Sequence, residues 1–224
     1  MNIAPFIDHT ILKSSATSAQ IDLVCKEALQ FSFSAVCIPP FYVQRAIKEL
    51  KGSPVNVATV VGFPFGYSLL KTKITEATQA IADGANELDM VINLAALKNN
   101  DWRLLKKEIT SILKLTKKNN LILKIIIESG ILTQQEIISC CEFYKEFDVN
   151  FLKTSTSYAE KGARIQDVQL MRHHLPSHIK IKASGGIRTF DFAMSLINAG
   201  AERIGCSASV AIVKGEPINH ISRK

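Results

Sequence analysis

Short apolar runs of strand length alternate with longer amphipathic segments, and this alternation restricts the fold more than any other feature of the sequence. The runs are FIDHTIL from Phe6, AVCI from Ala35, VNVATVVG from Val55, ELDMVI from Glu87, LILKIIIE from Leu121, NFLKT from Asn150, KIKAS from Lys180 and ERIGC from Glu202. They are rich in Val and Ile, as parallel strands buried on both faces should be. The pattern predicts an α/β fold, a TIM (β/α)8 barrel that forms a single domain over residues 1–224.

The segments between the runs carry signals for the beginning and end of helices. A T-x-x-E pattern at Thr133 and a T-x-x-Q pattern at Thr17 predict capping boxes. Gly84 and Gly200 each precede an alanine and then an apolar run, which is typical of a glycine that ends a helix. An open doubly wound sheet is the alternative architecture, but no G-x-G-x-x-G motif follows the first run.

The composition is that of a soluble globular protein, with 47% hydrophobic and 21% charged residues in 224. No apolar stretch reaches the length of a membrane span, and the first residues show no secretory signal. The chain has five cysteines and no C-x-x-C pair, which favours reduced thiols over a disulfide framework or a zinc site. We therefore expect a cytoplasmic protein that binds no metal and does not enter a membrane.

The formal net charge of +7 has three interpretations. A nucleic-acid surface is one, solvated helix faces are the second, and attraction of a small anionic substrate is the third. Many lysines fall in one amphipathic segment around Lys106 and Lys117, and no basic segment is interspersed with aromatic residues. We expect no nucleic-acid partner. A basic nucleic-acid-binding protein with an inert barrel is the competing hypothesis, which salt-dependent DNA binding would favour.

Two lysines at the ends of neighbouring predicted strands are the strongest chemical signal. Lys153 follows Phe151 and Leu152 and precedes four hydroxyl residues, and Lys182 ends the next run. One such lysine is most often a surface residue whose stem is buried. Two cations at adjacent strand ends each lower the other's pKa, and a neutral amine can attack a carbonyl carbon. Asp89, in the ELDMVI run, is available to hold the second lysine and to take part in its proton transfer.

Small residues after the seventh and eighth runs indicate a phosphate site. ASGGIR and IGCSAS place Gly185, Gly186 and Ser207 where backbone N–H groups can approach a ligand, and Arg188 adds charge. In barrels, the loops after strands seven and eight often hold phosphate. The alternative is two tight turns in which glycine only permits a positive φ.

Six stretches resemble the deoxyribose-phosphate aldolase family of class I aldolases. They are FIDHTIL, VVGFPFG, GANELDMVIN, FLKTST, KASGGIR and GAERIGCSA, in family order from about residue 6 to 212. The resemblance implies a TIM barrel that reversibly cleaves 2-deoxy-D-ribose 5-phosphate to D-glyceraldehyde 3-phosphate and acetaldehyde, in deoxyribonucleoside catabolism. It implies no metal or organic cofactor. Since the family often dimerises, a homodimer is one possible oligomeric state that the resemblance implies.

The resemblance also implies a role for each matching residue. Lys153 is similar to the Schiff-base nucleophile, Lys182 to the cation that lowers its pKa, and Asp89 to the partner in the proton relay. The implied contacts with substrate or phosphate are Thr156, Gly185, Gly186, Ile187, Arg188, Gly205 and Ser207. A related lyase or transferase on the same barrel, acting on another phosphorylated sugar, is the competing enzyme hypothesis.

Some positions depart from the family pattern or carry a second interpretation. Ser157 stands where the family commonly has glycine, and its Cβ predicts a strained φ. The sequence ends in HISRK, without a tyrosine-bearing tail, so we expect no tail-assisted proton transfer. Cys37 is expected to be a buried structural thiol rather than a reactive one. Asp8 and His9 are expected to be structural, hydrogen-bonded residues.

Overall fold

Eight parallel strands close into a barrel, and they follow one another around the ring in chain order. The structure is a computed structural model that describes residues 2–215. The strands are β1 (Ile7–Thr10), β2 (Ala35–Ile38), β3 (Asn56–Val61), β4 (Glu87–Val91), β5 (Ile122–Ile126), β6 (Phe151–Lys153), β7 (Lys180–Ser184) and β8 (Arg203–Cys206). Each predicted run contains one strand, so the predicted TIM barrel is confirmed. The HISRK segment lies outside the described residues, and the single-domain organisation stays a prediction.

Helices connect successive strands on the outside of the barrel. They are α1 (Ser18–Phe31), α2 (Val43–Glu49), α3 (Leu70–Ala82), α4 (Leu94–Lys98), α5 (Trp102–Lys118), α6 (Gln134–Tyr144), α7 (Ile165–His174), α8 (Phe190–Asn198) and α9 (Ser209–Lys214). Thr17 and Thr133 form the two predicted capping boxes. Gly84 and Gly200, with φ of 99° and 112°, follow the ends of α3 and α8 as predicted. Within residues 2–215, no helix has both the length and the apolar character to cross a membrane.

The main hydrophobic core lies between the strands and the surrounding helices. Leu88, Ile125, Leu152 and Ile181 point outward from adjacent strands and are completely buried against that layer. Burying an aliphatic side chain of this size contributes about 1.5–3 kcal/mol. This core fixes the strand positions, so the inward-facing residues at alternate positions are held on a stable frame.

The interior of the barrel is divided into an apolar side and a charged side. Ala35, Cys37, Ala58 and Val60, from β2 and β3, form a small separate apolar cluster. The inward positions of β1 and of β4 to β8 carry charged side chains instead. The charges are therefore confined to one side of the interior, where they must be paired with each other because almost no water reaches them.

Closure of the barrel brings the two ends of the described chain together. Strand β1 pairs with β8, so that Asp8 lies opposite Gly205 and His9 lies opposite Cys206. The side chains of Asp8 and His9 point to opposite faces, Asp8 into the interior and His9 towards the helices. The first strand therefore contributes both to the interior charges and to the support of the loop after β8.

Candidate active site

Lys153, Lys182 and Asp89 meet inside the barrel, as the sequence predicts. The Nζ atoms of both lysines lie 2.7 Å from the same carboxylate oxygen, Oδ2 of Asp89. All three side chains are almost completely buried. They come from β6, β7 and β4, and their contact depends on barrel packing because Asp89 and Lys182 are 93 residues apart.

A further lysine, which the sequence reasoning missed, occupies the other side of Asp89. Lys124 of β5 is fully buried, and its Nζ lies 2.7 Å from Oδ1 of Asp89 and forms an ion pair with Glu87. Its signal in the sequence was a single lysine inside the aliphatic run LILKIIIE, two positions before Ile126 on the same strand face. Asp89 therefore bridges three lysines, with one oxygen shared by Lys153 and Lys182.

Asp8 and Arg203 complete the charged side of the interior. Lys182 donates to Asp8, and Nη1 of Arg203 lies 2.5 Å from Oδ1 of Asp8 and 3.4 Å from Glu87. The expectation that Asp8 is a hydrogen-bonded structural residue is therefore incomplete, because it contacts the candidate catalytic lysine directly. Its distance from Lys182 along the chain, 174 residues, explains why no local pattern indicated the contact.

The charges of this ionic cluster can be counted. Three carboxylates, Asp8, Glu87 and Asp89, face three cations, Lys124, Lys182 and Arg203, each paired with at least two of the carboxylates. These six charges balance. Lys153 is the seventh member of the ionic cluster, and its protonated form adds one positive charge that has no carboxylate of its own.

The pKa of Lys153 is lowered by this arrangement. Burial is the main cause, and the positive charge of Lys182 adds to it, whereas Asp89 acts in the opposite direction. Burial also lowers the pKa of Lys182, but Asp8 and Asp89 outweigh that effect and raise it. Of the two predicted catalytic lysines, Lys153 is therefore the better nucleophile and Lys182 the stable cation. The family resemblance implies the same division of roles, which stays a prediction.

Asp89 is held in its ionised form. Burial acts to raise its pKa, but Lys124, Lys153 and Lys182 together hold the pKa well below its usual value. A carboxylate in this state is a poor proton acceptor by itself. It can instead orient the two amines that share Oδ2.

Cys37 lies close to the candidate site but is buried. Its Sγ is 3.9 Å from Oδ2 of Asp89, and none of its surface is exposed. Burial raises the pKa of the thiol. A thiol with a raised pKa is a weak nucleophile, which agrees with the expected structural role.

The residues after Lys153 form a polar wall that Glu128 fixes. Both carboxylate oxygens of Glu128 accept the backbone N–H of Thr156 at 3.2 Å, and Oε2 also accepts its hydroxyl. Thr156 Oγ1 in turn accepts the N–H of Tyr158 at 3.1 Å. Because the hydroxyl proton of Thr156 is donated to Glu128, Thr156 can contact a substrate or water only as an acceptor.

Ser157 adopts the strained backbone that its position predicts. Its φ is 76°, in the left-handed region, although the residue has a Cβ. Its Oγ lies 3.4 Å from the place where Gly185 would carry a Cβ. The serine therefore keeps the backbone conformation that a glycine would adopt and adds a hydroxyl beside the loop after β7.

A cavity of about 440 Å³ opens at the carboxyl ends of the strands. All seven predicted substrate and phosphate contacts line it, namely Thr156, Gly185, Gly186, Ile187, Arg188, Gly205 and Ser207. The Ile187 side chain is buried. Lys153, Lys182 and Asp89 are not part of this lining and lie deeper among the strands.

Glycine is required at Gly205 for a reason other than ligand access. A Cβ there would lie 2.5 Å from Oγ of Ser184 and 2.9 Å from Cε of Lys182. The glycine thus leaves room for the lysine. Ser184 Oγ is buried and has no hydrogen-bond partner among the described residues.

This combination of a closed (β/α)8 barrel and interior lysines agrees with the comparisons with known proteins. A family model described as DeoC/LacD family aldolase matches residues 3–215. The chain therefore belongs to the DeoC/LacD family of aldolases.

Within that family, the similar relatives are named deoxyribose-phosphate aldolase. The protein of this name from Caldicellulosiruptor saccharolyticus is 50% identical over 94% of this chain and 96% of its own length. The one from Thermococcus gammatolerans is 45% identical over 96% of each chain. A solved structure of the Aeropyrum pernix deoxyribose phosphate aldolase, a tetramer, has a TM-score of 0.88 and 28% identity over 95% of this chain and 89% of its own.

Proposed function

We propose that this protein catalyses the reversible cleavage of 2-deoxy-D-ribose 5-phosphate to D-glyceraldehyde 3-phosphate and acetaldehyde. The observation that carries the proposal is Lys153, a buried lysine with a lowered pKa, 2.7 Å from a carboxylate that also binds Lys182. Deprotonated amines in dry surroundings attack carbonyl carbons. The names of the similar relatives support the choice of substrate.

The reaction follows from the chemistry of the amine. In the synthetic direction, Nζ of Lys153 adds to the carbonyl carbon of acetaldehyde, and loss of water gives an iminium. The iminium withdraws electrons from the neighbouring carbon, which loses a proton to become an enamine. The enamine carbon then attacks the aldehyde of glyceraldehyde 3-phosphate, and water releases the product from Lys153. Cleavage is the reverse sequence.

Proton transfer requires a group that can give and accept protons beside the imine. Lys182 shares Oδ2 of Asp89 with Lys153, so it lies next to the reacting nitrogen. We assign proton transfer to a water molecule that the Lys182 ammonium orients as a hydrogen-bond donor, and we assign to Asp89 the task of holding both amines in place.

The cavity above the strands supplies the second half of the substrate site. Gly185 and Gly186 have φ of 95° and 75°, and Arg188 and Ser207 line the same cavity. Backbone N–H groups in glycine turns and a guanidinium group suit a phosphate. Phosphate bound there fixes the distance between the sugar aldehyde and the imine.

Reductive trapping tests the nucleophile. Borohydride added in the presence of acetaldehyde should leave an ethyl group on Lys153, which peptide mass mapping detects, and Lys153→Met should abolish it. An adduct on Lys182 alone, or none, would contradict the assignment. A panel of phosphorylated sugars tests the substrate, since release of glyceraldehyde 3-phosphate from deoxyribose 5-phosphate should far exceed cleavage of the others.

The proposal also covers the cellular compartment and the metabolic role of the enzyme. We propose that it works in the cytoplasm, in the catabolism of deoxyribonucleosides, as its unpaired cysteines and its proposed substrate suggest. A homodimer stays a prediction, which light scattering of the purified protein would test.

A further inference from the structure

A polar cluster behind the loop after β8 is not used by the proposed reaction. It consists of His9 of β1, Glu27 of α1 and Ser209 at the start of α9. His9 Nδ1 lies 2.9 Å from Ser209 Oγ, and His9 Nε2 lies 2.7 Å from Glu27 Oε2. His9 and Ser209 are buried, while the Glu27 side chain is 26% exposed. A buried polar cluster of this kind costs free energy unless its partners are all satisfied, so its arrangement is specific.

The cluster continues to the backbone of the cavity wall. The hydroxyl of Ser209 donates to the carbonyl of Cys206 at 2.9 Å. Cys206 stands between Gly205 and Ser207, and all three residues line the cavity. The contact therefore closes the turn that follows β8 and fixes the orientation of the peptide group between two of the proposed phosphate contacts.

The hydrogen bonds of Ser209 link His9 to that turn. Nε2 of a neutral imidazole donates to the Glu27 carboxylate, so Nδ1 is an acceptor, and the single hydroxyl proton of Ser209 is shared between Nδ1 of His9 and the carbonyl of Cys206. The Phe33 ring packs against the imidazole at 5.3 Å between centroids, and Glu27 holds the opposite nitrogen. The imidazole is thus fixed on three sides and holds the Ser209 side chain beside the carbonyl of Cys206.

We propose that His9 is a positioning residue for phosphate recognition, acting through Ser209 on the turn from Gly205 to Ser207. The role rests on the proposed function, since it assumes that this turn receives the phosphate of the sugar. His9 does not contact the reacting atoms, because its side chain points away from the interior that holds Lys153. Its effect should consequently be confined to substrates that carry a phosphate.

A comparison of two substrates tests this role. The kcat/KM for 2-deoxyribose 5-phosphate and for 2-deoxyribose is measured for the wild type, and their ratio reports phosphate recognition. We expect His9→Gln and Ser209→Ala to lower the ratio about tenfold, as for one lost hydrogen bond that constrains the site. The kcat/KM for 2-deoxyribose should remain within about twofold of the wild type.

Two matched variants separate positioning from loss of stability. His9→Asn places an amide near the position of Nδ1 and should restore most of the ratio, because the amide keeps a hydrogen-bond partner for the Ser209 hydroxyl. Thr133→Ala removes the side-chain cap of α6, away from the cavity, and should leave the ratio unchanged. Ser209→Ala removes a single oxygen atom, so the ratio of the two kcat/KM values can still be measured in this variant if the larger change at His9 prevents folding.

The outcomes distinguish this inference from the proposed function. An unchanged ratio in both His9→Gln and Ser209→Ala, with a wild type that prefers the phosphorylated sugar, overturns the inference and leaves the proposed function intact. Equal losses on both substrates overturn it as well, since a merely structural role predicts them. A wild type without preference for the phosphorylated sugar overturns the proposed phosphate site itself.

Discussion

Removing the positive charge of Lys182 should make Lys153 bind its proton more tightly. The two Nζ atoms each lie 2.7 Å from Asp89 Oδ2, so they are at most 5.4 Å apart. At an effective dielectric constant of about 20, two unit charges at this distance repel by about 3 kcal/mol. Lys182→Met should therefore strengthen the proton affinity of Lys153 by about a hundredfold.

The assay is the pH dependence of imine trapping on Lys153. The rate of adduct formation with acetaldehyde and borohydride follows the neutral fraction of the amine, so its midpoint should move to higher pH in Lys182→Met. The ionic cluster should survive the change, because Asp8 keeps its contact with Arg203 at 2.5 Å and Asp89 keeps Lys124 at 2.7 Å.

Lys180→Met is the matched control for this experiment. Lys180 lies on the same strand, two residues earlier, and its side chain is exposed, so it loses the same charge without touching the ionic cluster. Its midpoint should equal that of the wild type. A midpoint for Lys182→Met that stays in place or moves to lower pH would refute the electrostatic reasoning, as would an equal shift in the control.

The structure predicts the outcome of three further substitutions. Asp89→Asn removes the carboxylate that raises the pKa of Lys153, so its trapping midpoint should move to lower pH while turnover falls; a shift to higher pH would contradict this. Ser157→Gly should raise the free energy of unfolding by about 0.5 kcal/mol in urea titrations, because glycine adopts a positive φ without strain. Lys73→Met should lower that free energy by about 3–5 kcal/mol, because the buried carboxylate 2.6 Å from its Nζ loses its partner. The exposed Arg45→Met, which also breaks an ion pair, should lower the free energy of unfolding far less than Lys73→Met, and equal losses would contradict the argument.

The strand pattern and the positions of the two candidate catalytic lysines could be predicted because each depends on local sequence. FLKT and IKIKAS show by alternation alone which residues share a strand face, and the barrel places such strand ends at one mouth. The predicted φ of Ser157 is confirmed for the same reason, since it depends on the local turn. Local sequence patterns do not predict contacts between residues that come together only when the barrel closes, as Asp8 and Lys182 do.

Lys124 was missed because a lysine in an apolar run has two interpretations. Its methylene groups could be buried while its ammonium group reaches solvent, or the whole side chain could be buried with charged partners. The choice depends on whether Glu87 and Asp89 face it across the neighbouring strand, which the register of β4 against β5 decides. The carboxylates at alternate positions of ELDMVI, Glu87 and Asp89, together with the single lysine inside LILKIIIE, were the signal that could have indicated the pairing.

The balance of three carboxylates and three paired cations favours one order of events during turnover. With Lys153 neutral, the interior holds no excess charge. The iminium on Lys153 introduces an unneutralised cation into a nearly dry interior, whereas the enamine that follows is neutral. Transfer of the α-carbon proton to a water molecule that carries it out of the barrel therefore returns the interior to electrical neutrality. The resting charges of the barrel thus favour loss of this proton from the iminium.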